Sequence, residues 1–221
     1  MYSATVTRPA AVGNILNQRK LVIRGLRVEI SWLLVAGYLP MMIVWLIAHR
    51  VISIQVSHRQ RPARFSGSRW DGYVPLVPQA AYVYFSGFIL ASFAVIPMIW
   101  TSYAVPIAVG YFVQFVVSLT LYSLCPVQAE RPELDLRIRS ARLLQEFHRL
   151  AGPYNAFPSM HASFGLYSGL WLATSTPGWI GLPTMAWCLA VVASTLLAKE
   201  HTVIDVLGGA VLGIGAFLLV R

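Results

Sequence analysis

Long apolar runs dominate this chain, and short polar turns break them. Runs near the ~20 residues needed to cross a bilayer's hydrocarbon core recur six times. They lie at about residues 31–48, 79–99, 103–124, 159–176, 179–198 and 203–220. The pattern predicts an all-α fold: an integral membrane, multi-pass bundle of six transmembrane helices. The turns at Thr101 and Ser102, and at Pro177 and Gly178, are short enough to make spans two and three, and four and five, tight helical hairpins. Trp100, Tyr103 and Trp179 sit beside those turns, where interfacial aromatics belong. Ahead of the first span, residues 1–30 read as a basic segment. Its stretch from Arg19 to Arg27 runs into a nearly full-length span without a small-residue cleavage site, unlike a cleavable signal peptide.

Two longer loops remain, residues 49–78 and 125–158. In the second, Leu134, Ile138, Ala141, Leu144, Phe147 and Leu150 fall at helical spacing, with Arg137, Arg139, Arg142 and Arg149 between them. That pattern predicts a helix lying in the headgroup plane with its arginines toward lipid phosphates, although plain snorkelling accounts for most of such charges.

Composition sharpens the class. Hydrophobic residues make up 57% of the 221 positions and charged ones 11%, against ~25% charged in an ordinary soluble domain. A soluble globular domain and a disordered tail are both excluded. Seventeen basic and eight acidic residues give a formal net charge of +9. In such a chain the surplus first means loop arginines that set topology and touch anionic headgroups. There is no separate basic domain to engage nucleic acid. With six spans, the face carrying the loops after spans one, three and five holds eleven basic residues and the opposite face six. Charge alone would put the loop-rich face in the cytoplasm, but phosphate binding there would account for part of the count. Cys125 and Cys188 form no metal motif and do not look like a pair.

Two polar clusters fall on the loop-rich face, where ionisable groups at membrane depth are expensive and therefore functional candidates. One runs from Asn155 through Pro158, Ser159, Met160 and His161 to Ser163. Pro158 suits the first turn of span four, with Ser159 and His161 beside it, at a helix N-terminus that attracts anions. The other runs from Ser194 through Lys199, Glu200 and His201 to Asp205. His201 and Asp205 lie four apart. On one helical face the carboxylate would fix the imidazole tautomer for nucleophilic or base chemistry, or simply lock a helix end. The hairpin of spans four and five brings His161 and His201 to one depth, and Arg131, just after span three, arrives on the same face. Two histidines, a carboxylate, two cations and a helix N-terminus describe a phosphate site. They do not resemble a zinc site, which would want a further ligand at short spacing.

With those residues in view, the chain resembles the type-2 phosphatidic acid phosphatase superfamily, a six-helix membrane bundle with three short signatures. Pro158-Ser159-Met160-His161 stands for the family's Pro-Ser-Gly-His, and Ser194-Thr195-x5-His201-x3-Asp205 for its Ser-Arg-x5-His-x3-Asp. Arg131-Pro132 is what survives of Lys-x6-Arg-Pro, with Leu124 in the lysine's place. Two basic phosphate ligands are thus replaced, at Leu124 and Thr195, and Lys199 could restore one charge. The texture around both histidines is similar to the inositol-phosphorylceramide synthase-like branch.

The resemblance implies a phosphatase-like membrane domain over residues 31–221, with core signatures at 131–205. His201 would be the nucleophile, Asp205 its orienting partner and His161 the acid and base, with no metal or other cofactor. Arg131, Lys199, Ser159 and the amides opening span four, including that of Met160, would bind phosphate. Ser163 and Ser194 would bond either phosphate or a neighbouring helix, and Asn155 would position its loop or touch the substrate head. The implied substrate is a lipid phosphate or diphosphate, hydrolysed, or else passed as a phospho-headgroup to an alcohol such as inositol or a ceramide-like lipid. The family's catalytic face is usually extracytoplasmic. The Gly165-x3-Gly169 and Gly209-x3-Gly213 patterns read as close-packing faces, and His49, His58 and His148 as loop or interface residues without a nameable partner.

Overall fold

The computed structural model describes residues 43–58 except 45, 64–95 except 66, 103–129, 131–151 and 154–221. These residues are predominantly helical, as expected. The helices are α1 (Leu46–Ser57), α2 (Ala80–Val95), α3 (Ala104–Leu124), α4 (Arg139–Ala151), α5 (Met160–Ser175), α6 (Gly178–Leu197) and α7 (Val203–Val220). Among the described residues, three helices are long and apolar enough to cross a membrane: α3, α6 and α7. Helix α5 is 16 residues, or roughly 24 Å at 1.5 Å per residue, shorter than the ~30 Å hydrocarbon core, and 16 residues of α2 are described. Most of the first expected span, and the basic segment before it, lie outside the described residues. The part that is described corrects its end, because the helix does not stop near residue 48 but runs through His49 and Arg50 to Ser57.

On the three long helices, large apolar side chains point outward. Val105, Val109, Phe112 and Val116 line α3; Leu182 and Leu189 line α6; Leu207, Val211 and Leu218 line α7, all exposed. An exposed apolar face of this kind suits lipid rather than water. The inner side is aromatic. Tyr111, Tyr122, Phe164, Tyr167, Trp171 and Phe217 form the main core, where α3, α5 and α7 meet.

Close backbone contact joins α5 to its neighbours. A Cβ at Gly209 would run into the carbonyl of Ser159, and one at Gly213 into that of Ser163. The amide of Ser159 donates to the carbonyl of Asp205 at 2.9 Å, tying the heads of α5 and α7 together. On the α6 side, a Cβ at Gly169 would lie 2.9 Å from the Met185 sulfur. Gly165 is different: its nearest neighbour would be an ordinary 3.6 Å away, so close packing does not require glycine there.

Helix α4 departs from the expectation of a helix lying flat in the headgroups. Its apolar stripe docks on protein. Ala141 and Leu144 are fully buried, and Leu144 packs with Ala81 of α2 and Ala198 at the end of α6. The bundle offers an apolar surface that the sequence periodicity cannot distinguish from a lipid surface. Arg137, Arg139, Arg142 and Arg149 remain on the outward side, exposed. The loops below α4 are stitched by a parallel pair, β1 (Arg64–Phe65) against β2 (Val127–Gln128), and Val127 also bridges to Asn155.

The glycine contacts make a direct prediction. Gly213→Ala should destabilise the protein by about 1–3 kcal/mol through overpacking. Gly215→Ala, where nothing lies within 4 Å, should be neutral or slightly stabilising. Thermal unfolding in detergent compares the two.

Candidate active site

The site is assembled from three chain segments at one end of the bundle: the turn into α5, the loop between α6 and α7, and the loop after α3. Ser159 is the N-cap of α5, with its Oγ accepting from the amide of Ala162 at 3.3 Å. Pro158 therefore lies outside the helix rather than in its first turn, and His161 is the second helical residue. The α6–α7 loop turns sharply at Lys199, whose φ of 55° lies in the left-handed region, a conformation uncommon for a side-chain-bearing residue. The amides of Glu200 and His201 then both donate to the carbonyl of Thr195, at 3.1 and 3.3 Å.

The His201 and His161 rings lie with centroids 6.2 Å apart, their planes tilted by 52°. Nδ1 of His201 lies 2.9 Å from the carbonyl oxygen of Ala156. A carbonyl only accepts, so this contact assigns the proton to Nδ1 and leaves the lone pair on Nε2. Burial lowers the basicity of His201, only partly offset by Asp205 and by the Ala156 carbonyl, which favours the neutral ring. The expected carboxylate–imidazole bond is replaced by another arrangement. Asp205 Oδ2 stands 4.0 Å from Nδ1 and instead accepts the Thr202 amide at 2.8 Å, while Thr202 Oγ1 accepts from the Asp205 amide. That is a capping box at the start of α7. His201 therefore lies before the helix instead of on it. Asp205 acts on the ring through its charge at 4.0 Å, and the Ala156 carbonyl fixes the ring's orientation.

The remaining sequence candidates divide. Arg131 is half-buried and reaches the same loop, donating to Glu200 Oε2 at 2.9 Å and to the carbonyl of His148. Lys199 donates to the carbonyl of Asp71 at 2.8 Å. Asn155 is buried and donates to the carbonyl of His49 at 2.8 Å, so its amide positions the loop. Met160 is buried, and its sulfur accepts from Ser118. Ser163 donates to Gln114 across the α3–α5 contact, and Ser194 bonds back to Val191 in its own helix. Ser163 thus bonds a neighbouring helix, whereas Ser194 bonds only within its own. Of the two replaced basic positions, Leu124 is exposed at the end of α3, whereas Thr195 is fully buried and its hydroxyl bonds Val192.

Several contributors were not foreseen. Tyr84 of α2 is buried against His161, ring centroids 4.2 Å apart, and no motif marks it. Asp71 sits in the short 3-10 turn Arg69–Tyr73 and accepts the Val203 amide at 2.8 Å, adding a carboxylate to the start of α7. Burial would raise its pKa, but hydrogen bonds from Ser68 and Val203 and the charge of Lys199 hold it below the usual value. His148 lies in the same corner, its Nε2 3.2 Å from Glu200 Oε1 without a hydrogen bond between them. His49 packs edge-on against Tyr122 at 5.7 Å. Glu200 carried a visible signal, an acid at membrane depth beside a candidate nucleophile.

The family model of the PAP2 superfamily matches residues 99–221, more than half of the chain, including Arg131, His161, His201 and Asp205 but not Asp71 or Tyr84. The chain belongs to the PAP2 superfamily. No curated protein and no solved structure gives a significant match. Members of the superfamily are generally phosphatases acting on phosphate esters.

Burial, helped by the nearby Arg131 charge, lowers the pKa of His148 from 6.5 to about 4. Between those values the unfolded chain takes up a proton that the folded chain refuses, so this contribution is present above pH 6.5 and is lost as pH falls toward 4. Glu200 opposes it, since burial raises its pKa against the pull of Arg131. Comparison with His148→Gln isolates the histidine. Wild type should lose stability relative to the variant, by a few kcal/mol, as pH falls from 6.5 to about 4. Unfolding midpoints measured across that range test the sign.

Proposed function

We propose that this PAP2 protein is an integral membrane lipid phosphatase that works through a phosphohistidine intermediate. The observation that carries the reading is the pairing of His201, held with Nε2 as its unprotonated nitrogen, with His161 in the opening turn of α5. One imidazole suits attack and the other proton transfer.

In the first step Nε2 of His201 attacks phosphorus. An N–P bond forms, the P–O bond to the lipid breaks, and His161 gives its proton to the departing alkoxide. In the second step His161 takes a proton from water, the oxygen attacks phosphorus, and the N–P electron pair returns to His201. Asp205, 4.0 Å from Nδ1, stabilises the positive ring between the steps. Arg131, Lys199, Ser159 and the first amides of α5, including that of Met160, surround the equatorial oxygens, where charge accumulates. The lipid enters sideways between helices, and the catalytic face is extracytoplasmic.

Helix α4 gives a second reading its support. Its docked face covers part of the site's surroundings, and a cover that limits water favours transfer to an alcohol. In that reading the phospho-headgroup passes to inositol or a ceramide-like lipid.

The test uses purified protein, a head-labelled lipid phosphate and chelator, with and without inositol. Label should be released as free phosphate in both arms, and transfer of label onto inositol would select the second reading. His201→Ala should lower turnover by about a thousandfold or more with an unchanged unfolding temperature. Retained turnover would exclude the histidine nucleophile.

A further inference from the structure

Glu200 has no part in the chemistry above, yet it is a buried charge next to the nucleophile in sequence. Its side chain is 3% exposed, with Oε2 2.9 Å from an Arg131 guanidinium nitrogen and Oε1 3.2 Å from His148 Nε2. Arg131 also donates to the His148 carbonyl, so the guanidinium ties the pair to α4. The Glu200 main chain shares the Thr195 carbonyl with His201. An ion buried in this way is costly unless its partner is well placed, and removing one partner exposes the other's full field. That field lies beside the site, because Glu200 immediately precedes His201 and both amides bond the Thr195 carbonyl.

We propose that Glu200 is a positioning residue for phosphate: as the resident counter-ion of Arg131 it holds the guanidinium at the catalytic loop and sets how strongly that cation grips the substrate. The proposal rests on the phosphoryl-transfer reading of the site. Arg131 presents a partly neutralised charge, and an arriving phosphate competes with Glu200 for it. A site built this way releases inorganic phosphate readily. Helix α4 takes part through His148, whose imidazole approaches the second carboxylate oxygen.

A purely structural clamp and a counter-ion predict opposite outcomes for Glu200→Gln. The amide oxygen can still accept from Arg131, so geometry is largely kept while the negative charge is removed. The experiment uses the full chain in detergent, with inorganic phosphate as the probe, read both as inhibition of turnover and as a thermal shift. If Glu200 is the counter-ion, Glu200→Gln tightens phosphate about tenfold, and the gain disappears when Arg131→Gln is combined with it. Unchanged or weaker phosphate binding by folded Glu200→Gln overturns the proposal, as does a gain that persists without Arg131. If Glu200→Gln does not fold, Glu200→Asp takes its place. A carboxylate one methylene shorter loosens the pair and should tighten phosphate about threefold, and binding no tighter than wild type overturns the proposal. The thermal-shift arm is repeated in His201→Ala, where no turnover is needed. Turnover surviving in His201→Ala would therefore defeat the phosphohistidine reading without being confused with a failure of the counter-ion.

Discussion

The approach of α7 onto α5 is the contact on which the rest of the site depends. Two glycines on one helix let its backbone reach the carbonyls of Ser159 and Ser163 on the other, and the Ser159 amide closes the contact onto the Asp205 carbonyl. In lipid, helix association gains little from hydrophobic burial, so small residues and backbone approach must supply it. Here the contact also sets chemistry. The capped start of α5 carries His161, the capping box of α7 follows His201 directly, and the amide-to-carbonyl bond holds the two helix heads in register.

Around this contact the protein uses main-chain atoms for much of the orientation. The Ala156 carbonyl orients the His201 ring, the Thr195 carbonyl gathers two successive amides, and Asn155 is spent on the backbone of α1. Such groups need partners in any case when water is absent, so a rigid site can be built from obligatory bonds. Charged side chains then act over longer range. Asp205 sits 4.0 Å from the ring, and Arg131 shares its charge with Glu200. Thr195 has become a buried structural residue, while Leu124 is exposed on the outside of the bundle.

Much of this could be read from the sequence, and the reasons for the rest are physical. Helix identity followed from apolar run length, and the meeting of His161 with His201 from hairpin topology, because both are consequences of chain direction. The docking of α4 could not be read, since an apolar stripe looks the same whether lipid or protein covers it. The capping role of Asp205 was hidden by its spacing from His201, which suggested one helical face when the helix actually begins after the histidine. Asp71 and Tyr84 come from segments distant in sequence and carry no local pattern. Glu200 was visible as an acid at membrane depth, and it does pair with an arginine of the long loop, Arg131, but spacing does not reveal its burial.

The central claim is that His201 carries the phosphoryl group, and trapping that group tests it most directly. Protein mixed with a phosphorus-labelled lipid phosphate would be quenched in alkali, where a phosphohistidine survives, and the label mapped by peptide. Label should lie on His201, vanish in His201→Ala, and accumulate when His161→Ala slows the second step. Turnover with no label on His201, or with label on another side chain, would contradict the account.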